Sequence, residues 1–236
     1  MTETYRLHYA PDNASLIIRL ALEELGAPYT CVLVDRADAA HKSPAYLALN
    51  PNGLIPVLET PEGALFETGA ILLWLADRHG RLAPMVNSPE RGDFLKWLFF
   101  MANTLHPALR MTFYPAQYIG DDQSAQAILR RHMQSEIARH LDTLEGLAAA
   151  APPWFCAPEV SLFDLYLGPL LRWMVLYPAP NGGADWFSIE KWSRLHAMVT
   201  RLESRGCVIT AIRAEGLGDA PFSAPIYATP PEGSAT

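Results

Sequence analysis

Hydrophobic and polar positions follow different rhythms on either side of about residue 80. Tyr5-Arg-Leu-His-Tyr-Ala10 alternates as a strand does, and Pro11-Asp12-Asn13 breaks it. From Ser15 to Leu25 the positions Leu16, Arg19, Leu20 and Glu23 recur at helical spacing, with Gly26 as the expected stop. Tyr29 to Asp35 is rich in β-branched and aromatic residues and predicts a second strand. A strand, a helix and a strand within about thirty residues make a right-handed crossover unit. A polar stretch, Asp35 to Ser43, leads to a short helical piece over Pro44 to Leu49 and a turn at Asn50-Pro51-Asn52-Gly53. Ile55 to Glu59 and Ala64 to Phe66 then predict a hairpin over Thr60-Pro61-Glu62-Gly63, followed by a helix from Thr68 to Arg78 that stops at Gly80.

The second rhythm is helical throughout. Helices are predicted over Glu90 to Ile119, Ser124 to Ala150, Ser161 to Leu176 and Ser188 to Ser204. Leu141, Leu144, Leu147 and Ala148 mark one apolar face, and Ser161-Leu-Phe-Asp164 has the spacing of a capping box. The expected organisation is an α/β domain over 1–80, a proline-bearing linker over 81–89, an all-helical domain over 90–213 and an irregular tail over 214–236. No internal repeat is present.

Composition narrows the possible functions. Eighteen Lys and Arg against twenty-five Asp and Glu give a net charge of −7, without the basic block that nucleic acid requires. The three cysteines, Cys31, Cys156 and Cys207, are odd in number, widely spaced and without a CxxC, so neither a disulfide framework nor a zinc ribbon is expected. No apolar run approaches the roughly 18 residues of a membrane span, and the polar start lacks a signal peptide's apolar region. The expectation is a soluble, cytoplasmic protein with no metal.

Three stretches resemble the cytosolic glutathione S-transferase family: His41 to Leu58, Phe66-Glu-Thr-Gly-Ala-Ile71 and Ser161 to Asp164. The resemblance covers about residues 4 to 205. It implies a thioredoxin-like βαβ–ββα domain joined to a helical bundle, a two-fold homodimer, and glutathione as co-substrate. The first stretch is similar to the run that leads into the family's cis-proline, which makes Ile55-Pro56 a cis bond whose turned-out backbone pairs with the tripeptide. Proline inside an apolar, strand-like segment agrees with that reading, because only X–Pro bonds adopt cis cheaply. Glu67 and Thr68 fall where the family receives the γ-glutamyl end: N–H groups at a helix start for the carboxylate, an acidic side chain for the ammonium. The same two residues would also serve as an ordinary helix cap. His41 and Lys42 stand where some branches meet the glycyl carboxylate, while Leu54 departs from a position that is often polar.

A free thiol has a pKa of about 8.5, so a donor and a positive helix end must stabilise the thiolate. The segment Tyr9 to Ser15 is the place for it, and Ser15 and Asn13 compete for the role. Ser15 as a helix cap and Asn13 as a turn residue are the plain alternatives; Tyr9 is a third candidate on a strand. The cysteine of another branch would fall near Ala14, so no protein thiol is expected there. Leu105, His106, Met111, Phe113, Tyr114, Tyr118, Trp173 and Tyr177 are candidates for an apolar wall that holds the second, electrophilic substrate, and core packing would explain most of them equally well. Asp164 reads as a capping residue. The leading function is thiol transfer to a hydrophobic electrophile; the alternatives are a non-catalytic glutathione-binding scaffold or a glutathione-dependent disulfide or peroxide reductase.

Overall fold

The protein is seen in a computed structural model that describes residues 4–177 and 186–235; the remaining positions of the expected domains, 1–3, 178–185 and 236, lie outside the described residues. The first half runs β1 (Tyr5–Tyr9), α1 (Ser15–Leu25), β2 (Tyr29–Leu33), α2 (Pro44–Leu47), β3 (Val57–Thr60), β4 (Gly63–Phe66) and α3 (Thr68–His79). The sheet order is β2-β1-β3-β4. β1 pairs β2 in parallel, with Leu7 opposite Cys31, and β3 antiparallel, with Leu7 opposite Leu58. Along β3 the side chains alternate: Leu58 enters the main core and Val57 joins a smaller cluster with Val34 and Tyr46 of α2 on the other face. This is the expected βαβ–ββα layer.

α1 is buried from Ser15 to Leu22 because it is packed against β1, α3 and two helices of the second half. A helix enclosed in this way needs more than a single apolar stripe. Its one cation, Arg19, is buried and donates to the Glu215 carboxylate at 2.7 Å.

The second half comprises α4 (Arg91–Phe100), α5 (His106–Phe113), α6 (Ala116–Ile119), α7 (Gln123–Ala149), α8 (Leu162–Leu176), α9 (Ser193–Glu203) and α10 (Gly206–Glu215). The single helix expected over Glu90 to Ile119 runs from Arg91 to Phe113, its α-helical pieces α4 and α5 joined by a π-helical turn, and α6 follows separately. Pro107 lacks the N–H that would reach the Asn103 carbonyl, and Met101–Leu105 widens into a π-helical turn just before it. Pro115 ends the run, so α6 starts separately. α9 begins at Ser193 rather than Ser188, because the Glu145 carboxylate of α7 caps it by accepting from the N–H groups of Arg194 at 2.9 Å and Leu195 at 3.1 Å. The sequence reading also lacked α10, which packs on α1 and stops at Gly216 in the left-handed region. A Cβ on Gly216 would stand 2.0 Å from the Thr229 carbonyl oxygen, so only glycine fits.

The Ser161–Asp164 capping box is present. Ser161 Oγ accepts from Phe163 N at 3.0 Å, and Asp164 accepts from the N–H groups of Ser161 at 2.9 Å and Cys156 at 3.0 Å. It launches α8, which is buried along nearly its whole length. Arg172 on α8 is 0% exposed, yet all five of its N–H donors are used. Nε and Nη2 grip the Asp12 carboxylate at 2.8 and 2.9 Å. The rest reach the carbonyls of Leu217 and Pro221 at 3.1 Å and Ile226 at 2.8 Å.

Residues 216–235 form neither helix nor strand, but they are anchored by those bonds, by buried Leu217 and Phe222, and by Glu203, which accepts from Phe222 N at 2.8 Å. Among the described residues no helix is long and apolar enough to cross a membrane, and no group of three or more His, Cys, Asp or Glu could hold a metal.

Removing one member of the buried Asp12–Arg172 pair strands the other charge. Asp12→Ala and Arg172→Met are each expected to lose about 3–5 kcal/mol of unfolding free energy in a urea titration. The double variant, with neither charge left alone, is expected to recover part of that loss.

Candidate functional site

A cavity of about 1000 Å³ lies between the two halves. Its first wall is built at three chain turns. The loop 50–56 is drawn tight from within: Asn50 Nδ2 and Tyr46 OH both donate to the Leu54 carbonyl at 2.8 Å, and Asn52 N–H donates to Asn50 Oδ1 at 3.0 Å. Gly53 has φ +60°, and a Cβ there would sit 3.0 Å from the His41 carbonyl oxygen. The loop delivers Leu54, Ile55 and Pro56 to the cavity, and the Ile55-Pro56 bond is cis.

The second turn is the start of α3. Glu67 sits at φ +71°, a region that costs a non-glycine residue of order 1–3 kcal/mol and that recurs at functional sites. No side chain caps this helix, so the N–H groups of Thr68, Gly69 and Ala70 have no helical partner while those residues line the cavity. Anions bind to such a helix end.

The third turn is the start of α1, and it separates the two candidate thiol donors. Ser15 is 0% exposed and does not line the cavity; its Oγ donates to the Ala10 carbonyl at 3.0 Å and accepts from Ala10 N–H at 3.3 Å. It closes the loop and is therefore turned away from the reactive space. Asn13 does line the cavity. Its Oδ1 accepts from Ala14 N–H at 2.8 Å, which leaves the side-chain NH₂ as the group able to donate. Tyr9 is buried, and its hydroxyl donates to the Glu232 carboxylate of the tail.

His41 lines the cavity, and its buried Nδ1 has no hydrogen-bond partner among the described residues. Burial, with Lys42 and Arg36 nearby, lowers its pKa and favours the neutral ring, so it offers a hydrogen bond rather than the expected charge. Lys42 is exposed and outside the cavity lining. Arg36, which the sequence reading passed over, is on the lining and donates to the Ala235 carbonyl at 3.4 Å.

The opposite wall comes from α4 to α6 and α8. Of the expected apolar candidates, His106, Phe113, Tyr114, Trp173 and Tyr177 line it. Leu105 is wholly in the core, and Met111 and Tyr118 lie off the lining. Asn103, Arg110, Gln117 and Tyr166 also line this wall. His106 and Arg110 are one turn apart on α5, a spacing visible in the sequence.

With this geometry in view, comparison with known proteins decides the family. The model of the glutathione S-transferase N-terminal domain matches residues 3–77, and that of the C-terminal domain matches residues 125–201. Glutathione S-transferase GstA of Escherichia coli O157:H7 is 29% identical over 217 residues, 90% of this chain and 99% of its own. Maleylacetoacetate isomerase of Rhizobium meliloti (strain 1021) is 31% identical over 180 residues, 73% of this chain and 84% of its own. The structure of a sphingomonad glutathione S-transferase complexed with glutathione aligns with a TM-score of 0.72 at 30% identity, covering 90% of this chain and 100% of that one.

The chain belongs to the cytosolic glutathione S-transferase family.

In this glutathione S-transferase family member, His106 of the facing wall packs against α8. Its Nδ1 is hydrogen-bonded to Tyr166 OH at 3.0 Å, and its ring lies 6.3 Å from that of Trp173. Burial, helped by Arg110, pushes its pKa down to about 4. An unfolded chain protonates the same imidazole near 6.5, so between those values the unfolded state binds more protons. The stability tied to the neutral ring is present above pH 6.5 and lost as the pH falls toward 4. Nitrogen-15 NMR of the ring is expected to show His106 neutral down to about pH 4. A midpoint near 6.5 would contradict the burial argument.

Proposed function

We propose that this protein is an enzyme that binds glutathione against the thioredoxin-like wall and stabilises its thiol as the thiolate for attack on a hydrophobic electrophile. The observation that carries the reading is the convergence of three chain turns on one cavity: Ile55-Pro56, the uncapped start of α3 at Glu67 and Thr68, and Asn13 at the start of α1. Backbone groups of Ile55 would pair with the tripeptide. The Thr68 to Ala70 N–H groups would take the γ-glutamyl carboxylate, with the Glu67 carboxylate for its ammonium. His41 would complete the glycyl end as a neutral hydrogen-bonding partner. The sphingomonad relative complexed with glutathione supports the same assignment.

For the thiolate we assign Asn13. Its free NH₂ and the positive end of α1 both favour negative charge at a sulfur placed there. No cysteine lines the cavity, and burial pushes the thiols of Cys156 and Cys207 up to about 12, so a reductase working through a protein thiol has no reactive candidate in the site. The same reading makes the protein a cytoplasmic two-fold dimer whose partners are glutathione and a small electrophile.

Titration with glutathione, followed by thiolate absorbance, is expected to give saturable binding with the thiolate formed near neutral pH. Asn13→Ala is expected to lose that signal and about 10²-fold in kcat. Ser15→Ala is expected to keep the signal and to lose about 1–3 kcal/mol of stability, since it unpairs buried groups of Ala10. A wild type that binds no glutathione would overturn the proposal. Binding without a thiolate would leave the scaffold reading in its place.

A further inference from the structure

The wall opposite the glutathione turns is less apolar than a purely hydrophobic electrophile requires. His106, Arg110 and Phe113 repeat at helical spacing, so α5 presents one face to the cavity with Arg110 near its middle, and Gln117 of α6 lines it beyond. Arg110 is half-buried, and no ion pair involves it among the described residues. Its polar contact is Gln117 Oε1 at 3.5 Å, the outer limit of a hydrogen bond. Three buried arginines elsewhere have carboxylate partners, Arg19 in Glu215, Arg91 in Asp77 and Arg172 in Asp12, while Arg36, half-buried on the glutathione side of the lining, reaches the Ala235 carbonyl.

The nearby carboxylates are committed elsewhere. Both oxygens of Asp12 are held by Arg172, and Trp173 Nε1 adds a third donor at 2.7 Å. Glu67 belongs to the glutathione wall. In a chain of net charge −7, this part of the cavity therefore carries a positive charge that no carboxylate among the described residues pairs. A second observation points the same way. Among the described residues the buried Tyr177 hydroxyl has no hydrogen-bond partner. Its ring meets Phe113, one turn beyond Arg110, edge-on at 5.7 Å. Burial also keeps the Tyr177 pKa above the ordinary phenol value, so the hydroxyl remains a donor. A guanidinium and a phenol on one aromatic wall, both short of acceptors, match a carboxylate attached to an apolar ring.

We infer that the second substrate is an aromatic electrophile that bears a carboxylate, held by Arg110 with the Tyr177 hydroxyl as a further donor. The inference rests on the glutathione-transfer reading above. For a chloronitrobenzoate the step balances without an oxidant. The glutathione thiol gives its proton to solvent, sulfur bonds to the ring carbon, the carbon–chlorine bond breaks, and chloride leaves with the electron pair. The carboxylate is unchanged.

The test uses the glutathione conjugates of 4-chloro-3-nitrobenzoate and 4-chloro-3-nitrobenzamide, which differ in charge but little in shape, with glutathione itself as reference. Calorimetry is expected to show the full-length wild type binding the carboxylate conjugate at least tenfold more tightly than the amide. Arg110→Gln is expected to abolish that preference, Arg110→Lys to restore part of it, and Tyr177→Phe to reduce it about threefold. In turnover, Arg110→Gln is expected to lose at least tenfold more on the benzoate than on the benzamide, mainly through KM. Equal affinity of the wild type for the two conjugates, or a preference that survives Arg110→Gln, overturns this inference and leaves glutathione transfer standing if glutathione still binds. A wild type that binds none of the three overturns both.

Discussion

The Asp12–Arg172 pair is the constraint on which the site depends. Asp12 lies in the loop between β1 and α1 at φ +49°, next to the residue assigned to the sulfur. Arg172 belongs to a buried helix of the other half, so one bidentate contact fixes the approach of the two walls and the path of the loop. Asp12 N–H donates to Glu215 at 2.8 Å, which ties α10 to the same point. A pair buried this deeply is a weak source of net stability compared with well-packed apolar residues. Its physical value is geometric: neither charge can leave the other without remaining alone in the core. Asn13 and the end of α1 are thereby held in place before any ligand arrives, the condition under which a hydrogen bond and a helix dipole contribute most to a forming anion.

The same arginine organises the tail. A stretch rich in proline, glycine, alanine and serine cannot build its own ladder of backbone hydrogen bonds, so its carbonyls must find donors elsewhere. Arg172 supplies three of them, and Tyr227 OH donates back to the Leu176 carbonyl at 2.8 Å. The tail then reaches the first half at Tyr9 and Arg36, bringing Ala235 to the cavity rim. An irregular segment thus acts as a wall because one fully used guanidinium fixes its course.

Much of this was legible in the sequence, for identifiable reasons. The strands, α1, α3 and α8 were read within a few residues because their patterns are local: alternation, a glycine stop, a hydroxyl–carboxylate box. The Ile55-Pro56 turn and the start of α3 were legible through resemblance, since their function lies in the backbone and requires few particular side chains. The Asp12–Arg172 and Arg19–Glu215 pairs were not, because each joins positions more than a hundred residues apart and neither partner carries a local mark. Ser15 and Asn13 could not be separated by spacing either. Both stand at the same helix start, and only loop curvature decides that Ser15 is the one to meet Ala10. The long helix over 90–119 was read too far because its apolar pattern continues past Tyr114 and Pro115, where the helical backbone stops.

Labour is divided between the two walls of the cavity. The glutathione wall is made largely of N–H and C=O groups at turns, and these keep their direction as long as the fold is kept. The facing wall is made of side chains, many of them on one face of the helical run from Arg91 to Phe113, which keeps three- and four-residue spacing through the π turn at Met101–Leu105. That face brings His106, Arg110 and Phe113 to the cavity and leaves Leu105 in the core. On the proposed reading the fold fixes where a sulfur is presented, and the side chains of this face are what its partner meets. The shared fold alone therefore does not determine a second substrate.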